Sequence, residues 1–152
     1  MVFFCLHVML SAQVLISAKR EQATQTLGAG PPPESAESAA FNVGKFPIGV
    51  VFDGTNIWVA NGGSNTATKL QACDSAVVGS FNVGKFPIGV AFDGVDIWVA
   101  NGESNNLMKL RASAVPCLGT FNVRMKPAMV AFDGENIWVT NGRGEGVSKL
   151  KR

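Results

Sequence analysis

The stretch "FDGTNIWVAN" fills residues 52–61, returns as "FDGVDIWVAN" at 92–101, and comes a third time as "FDGENIWVTN" at 132–141. Each copy lies 40 residues after the last. Asp-Gly supplies the positive φ that a tight hairpin turn needs, and the "IWVAN" after it has the β-branched and aromatic composition of a strand. The phrase therefore reads as the end of one strand, a turn over "DGTN", and a second strand at 57–61.

Outward from the phrase, "PIGVVFD" (47–53) gives the first strand and "NGGSN" a turn after the second. "TATKLQA" (66–72) is a third strand, with Thr66, Thr68 and Leu70 on one face and Lys69 on the other. "AVVGSFNV" (76–83) is a fourth. Apolar residues recur at two, not at three and four, so no helix is expected in this region. The stretch "FNVGKFPIGV" is identical at 41–50 and 81–90 and becomes "FNVRMKPAMV" at 121–130. The chain from 41 onward thus divides into repeats at 41–80, 81–120 and 121–152, the last stopping eight residues early.

Strands one and two are apolar on both faces and must be covered on both, whereas strands three and four are half polar. That gradient suits stacked blades that cover each other near an axis and splay at the rim. A β-sandwich would show polar-out alternation on every strand. The expected fold is all-β, three four-stranded antiparallel β-propeller blades of about 40 residues. "IWVAN" and "IWVTN", preceded by Pro-x-Gly-Val-x-Phe-Asp-Gly in the first two copies, resemble the repeats of YVTN-type β-propellers, with Trp for the leading Tyr. They are also similar to NHL and streptogramin-lyase-like propellers. The resemblance covers residues 41–152 and implies the fold. It implies no single function, because proteins of this fold include surface-layer proteins, exported binding proteins and a few enzymes.

Propellers usually close with about four to eight blades, and three repeats do not close a ring. The segment "SAAFNV" (38–43) matches a fourth strand, while repeat three stops after its third. Two arrangements follow as expectations. Two chains could form a six-bladed ring, residues 38–43 of one completing repeat three of the other. Alternatively, the chain is a truncated copy of a longer propeller.

Residues 1–18 hold an apolar run from Val2 to Ala18, broken by His7, Ser11 and Gln13. It is short for a membrane span, which needs about 20 apolar residues, and fits a signal peptide with "ISA" before the cleavage point. Export to the periplasm or exterior is the expectation, although the usual basic n-region is missing. Residues 19–40, rich in Pro, Ala, Ser, Gln and Glu, read as a disordered linker. Net charge is +2, and the repeats mix eleven basic with eight acidic residues, without the basic stripe of a nucleic-acid binder. Cys5, Cys73 and Cys117 form no metal-spaced pair. Cys73 and Cys117 read as semi-buried free thiols, a disulfide between them requiring export.

Catalytic chemistry has little to draw on. His7 is the single histidine and tyrosine is absent, so the repeats offer no histidine base, metal ligand or triad member. The histidine and metal that streptogramin lyases are understood to use match no position here. Asp53, Asp93 and Asp133, each followed by Gly54, Gly94 or Gly134, could be imagined as metal ligands. An Asp before Gly in a turn instead bonds its own backbone two residues on. Trp58, Trp98 and Trp138, with Phe52, Phe92 and Phe132, read as core wedges between blades. The loops at the other end place Lys45, Lys85, Asn61, Asn101 and Asn141 together, a set suited to an anionic or sugar-like ligand or a protein loop. The competing reading has Asn capping turns and Lys solvating the surface. The expectation is a non-enzymatic binding or scaffolding protein without metal or cofactor, the alternatives being a degenerate propeller lyase or a surface-layer protein.

Overall fold

A computed structural model of the chain describes residues 39–114, 117–144 and 146–152. The signal peptide expected at 1–18, nearly all of the linker expected at 19–40, Cys5 and His7 lie outside the described residues. Residues Asn42–Arg152 form one compact unit. Among the described residues there is no helix, and so none long and apolar enough to cross a membrane.

The unit is a run of antiparallel meanders in three sheets. Blade 1 comprises β1 (Pro47–Phe52), β2 (Asn56–Asn61), β3 (Thr66–Gln71) and β4 (Val77–Asn82). Blade 2 comprises β5 (Pro87–Phe92), β6 (Asp96–Asn101), β7 (Asn106–Arg111) and β8 (Cys117–Asn122). Blade 3 has β9 (Pro127–Phe132), β10 (Asn136–Asn141) and β11 (Val147–Lys151), with no fourth strand among the described residues. Within each sheet every strand pairs with its sequence neighbour, so each connection inside a blade is a short turn. Gly54, Gly94 and Gly134 sit at φ of 94°, 93° and 102° in the first of these turns, a region that side chains with a Cβ rarely enter. Residues 39–43 form no strand.

The blades stack in chain order, with β1 against β5 and β5 against β9. We call the face of a blade turned to its successor the front and the opposite face the back. The front of blade 1 supplies Trp58, Ala60 and Ala67, which meet Val90, Ile97, Val99 and Leu110 on the back of blade 2. The front of blade 2 repeats the pattern with Trp98, Ala100 and Leu107 against Ile137 and Val139 of blade 3. Glycine lets the inner strands approach. A Cβ on Gly49 would lie 2.3 Å from the Ile88 carbonyl oxygen, and one on Gly89 would lie 2.2 Å from that of Ala128. Both are closer than any real Cβ contact, so glycine sets the spacing of the blades.

Two expected core residues end up elsewhere. Phe52 is 53% exposed and Trp138 36% exposed. The physical reason is positional: Phe52 lies on the back of blade 1 and Trp138 on the front of blade 3, where no described blade packs. Phe92 and Phe132, on backs that are covered, pack against the two cores. Cys73 and Cys117 are free and exposed, not semi-buried.

Candidate binding surface

Each blade carries the same polar unit at its β1–β2 type of turn. Asp53 Oδ1 accepts the backbone N–H groups of Thr55 (2.9 Å) and Asn56 (2.6 Å), and Asp53 Oδ2 accepts the Trp58 Nε1–H at 2.8 Å. Asp93 does the same with Val95, Asp96 and Trp98, as does Asp133 with Glu135, Asn136 and Trp138. One carboxylate thus closes the turn and fixes the indole that wedges the blades. On the neighbouring strand a lysine lies over each ring, with Lys69, Lys109 and Lys149 at 5.2, 4.8 and 5.2 Å from the centroids of Trp58, Trp98 and Trp138. The cross-strand pairs Trp58↔Lys69, Trp98↔Lys109 and Trp138↔Lys149 dictate this. Lys69 goes further: its ammonium donates to the Ala112 carbonyl at 2.7 Å, tying blade 1 to blade 2.

Burial alone would raise the pKa values of Asp53 and Asp93, but the hydrogen bonds from Trp58 and Trp98 and from the turn backbone outweigh it. Both groups lie below the usual carboxylate range, Asp93 helped by the charge of Arg152. Asp133 is held far below that range, first by the Trp138 indole and then by the Asn136 and Glu135 amides. Carboxylates stabilised this strongly are weak bases near neutral pH. Among the described residues no group of three or more His, Cys, Asp and Glu is placed to hold a metal ion.

The opposite end of the blades carries the loops that enter each inner strand. Lys45 and Lys85 are exposed there. Asn61, Asn101 and Asn141, the amides grouped with them in the sequence, are instead buried, being 0%, 0% and 8% exposed. Asn61 Oδ1 accepts the Gly44 N–H at 3.1 Å, while its Nδ2 donates to Thr66 Oγ1 (3.2 Å) and Thr68 Oγ1 (2.8 Å). Asn101 donates to Asn106 Oδ1, and Asn141 to the Gly146 carbonyl and Ser148 Oγ. These amides are drawn inward to the strand ends, where all but Asn101 Oδ1 find hydrogen-bond partners among the described residues.

The side chains that do face solvent include two that sequence reasoning passed over. Phe46 is 73% exposed, and both it and Phe86 are held at positive φ, 49° and 51°. An aromatic residue rarely adopts that conformation without being over-determined by its surroundings. Here the pinning is explicit. The Phe46 carbonyl accepts from Gly62 (2.8 Å), the Lys45 carbonyl accepts from Gly63 (2.9 Å), and the Lys45 N–H donates to Ser64 Oγ (2.7 Å). The second loop repeats this with Gly102, Glu103 and Ser104. Asn65 Oδ1 of blade 1 accepts the Phe86 N–H at 2.9 Å, and Asn105 Oδ1 accepts the Lys126 N–H at 2.8 Å, so each loop is also locked to the preceding blade. In repeat three the order reverses to Met125–Lys126, and both remain exposed. The signal was present in the doubled "GKFP", where an apolar residue follows a lysine in a turn and has no core role.

No protein-family model matches the chain, and no curated protein matches it. Solved structures do. The hydrazine synthase of Kuenenia stuttgartiensis superposes at a TM-score of 0.67, with 17% identity over 78% of this chain and 36% of that one. The WD40 repeats of RRP9 do so at 0.59, with 16% identity over 66% and 34% of the two chains. A putative 6-phosphogluconolactonase from Bacteroides uniformis ATCC 8492 gives 0.60, with 12% identity over 69% and 36%. The sheets are β-propeller blades. At these identities the likeness is one of fold alone. The chain spans about a third of the length of each of these structures.

Proposed function

We propose that this propeller segment is a non-enzymatic binding or scaffolding protein that uses its loop end to hold a protein partner. The observation that carries the reading is the exposed Lys45–Phe46 pair, repeated as Lys85–Phe86 and reversed as Met125–Lys126, on loops pinned by backbone hydrogen bonds. A rigid, exposed aromatic loses little entropy on contact, and the adjoining cation selects an acidic neighbour. A partner segment mixing acidic and apolar residues fits this chemistry better than a sugar, because the amides that would bind a sugar are turned inward. The "IWVAN" and "IWVTN" strands support a kinship with YVTN-type and NHL-like repeats, and the apolar leader supports export.

The test is selection of displayed peptides on the whole chain, with the K45E/F46S/K85E/F86S variant as counter-target. Acidic, apolar-rich peptides that bind the parent and lose at least tenfold on the variant are expected. Far-UV circular dichroism should show the same strand content in both proteins. Peptides that bind both equally would overturn the assignment of this face.

A further inference from the structure

The two end faces of the blade stack are unequal. The back of blade 1 presents Val50, Phe52, Ile57 and Val59, residue for residue the same as Val90, Phe92, Ile97 and Val99 on the back of blade 2. The second set is seated against a glycine, a tryptophan and two alanines of blade 1, and Ile97 and Val99 are fully buried there. The first set has no described blade against it: Val50 and Phe52 are 66% and 53% exposed, Ile57 and Val59 are half-buried, and only Leu70, the counterpart of Leu110, is buried.

The front of blade 3 has lost the matching surface. Where blades 1 and 2 carry Gly49 and Gly89, blade 3 carries Met129. In both internal interfaces a Cβ at that position would fall within 2.3 Å of the next inner strand's backbone oxygen, an atom that cannot swing aside. Met129 therefore bars a further back face from docking at the same spacing. Thr140 stands where Ala60 and Ala100 are fully buried, and its Oγ1 accepts the Met129 N–H at 2.9 Å.

We propose that the stack is a one-ended adaptor. The back of blade 1 accepts the front of a propeller blade from another polypeptide, one carrying glycine on its inner strand and Trp and Ala beside it. Met129 prevents this chain's own blade 3 from being that blade. The same block applies to exchange of residues 38–43 between two copies. In the internal repeats, a strand in the fourth position leads directly to an inner strand seated on the same blade's front. Pairing residues 38–43 with β11 of a second copy would therefore bring β1 onto Met129.

The chain can supply its own probe. A tagged V50K/M129G/T140A bait has an opened front and a blocked back; a V50K bait has the front still closed. Wild-type protein, with its back intact, is the prey. The triple variant is expected to retain at least tenfold more prey than V50K, and a prey carrying V50K should abolish that gain. A V50K/M129G bait, one change fewer, should fall between the two. Val50 and Met129 are exposed, so the baits should keep the wild-type circular dichroism spectrum, which is recorded for each. Equal capture by the V50K bait would show that Met129 closes nothing. Failure of both folded glycine baits to capture prey would show that the back of blade 1 does not accept such a face.

Discussion

Replacing tryptophan by phenylalanine at three equivalent positions should give three different costs. At Trp98 the change removes the indole N–H from Asp93, a carboxylate that is 1% exposed. A hydrogen bond to a charged acceptor contributes about 1.5–3 kcal/mol. The smaller ring also gives up roughly 50 Å² of buried apolar surface, or about 1 kcal/mol more. W98F should therefore cost about 2.5–4 kcal/mol, combining both effects. Trp58 is equally buried, but Asp53 is partly open to water, which replaces some of the lost bond; about 2–3 kcal/mol is expected. Trp138 and Asp133 are both exposed, so W138F should be the mildest of the three. Urea unfolding followed by far-UV circular dichroism measures the series without relying on tryptophan emission. If W138F lowers the unfolding free energy as much as W98F, blade-to-blade burial is not what sets the role of these residues.

Three further outcomes can be checked with the same unfolding experiment. G89A, whose new Cβ would meet the Ala128 oxygen, should cost about 1–3 kcal/mol through overpacking, whereas G119A, with nothing nearer than 3.5 Å, should be neutral or gain up to about 1 kcal/mol. K69M keeps the volume but leaves the Ala112 carbonyl unpaired, and should lose about 1–3 kcal/mol. Acid should destabilise the fold in a defined window. Asp53, Asp93 and Asp133 sit below their ordinary value of 3.8 when folded, so the stability they contribute is complete above that pH and is lost as pH falls through their depressed values. A titration from pH 5 to pH 2 should show that loss, and D93N should flatten its slope; an unchanged slope would mean that Asp93 titrates alike in both states.

Strand positions were legible because each is written three times. The expected strands at 47–53, 57–61, 66–72 and 76–83 agree within one residue at each end with Pro47–Phe52, Asn56–Asn61, Thr66–Gln71 and Val77–Asn82. What repetition hides is which copy stands at an end. Phe52 and Phe92 are the same letter in the same phrase, yet only Phe92 has a blade over it. The lysine–indole pairing needs the register Trp58↔Lys69, which no residue pattern states. Asn61 looked like a surface amide because it borders a turn. Its inward rotation depends on Gly44, seventeen residues away, whose missing side chain makes the room. Phe46 lies in the same loop as Lys45, and its outward exposure goes with a positive φ that the residue letters do not state.

The strictly sequential strand pairing also bears on how the chain comes together during synthesis. Every hydrogen-bonded neighbour is the next strand to be made, so hairpins can zip without waiting for distant partners. The tryptophan wedge cannot: Trp58 is covered by residues about one repeat later, a delay of roughly 2–8 s at 5–20 residues per second. For that interval the indole is held by Asp53 within its own hairpin, already aimed at a surface that has not yet been translated.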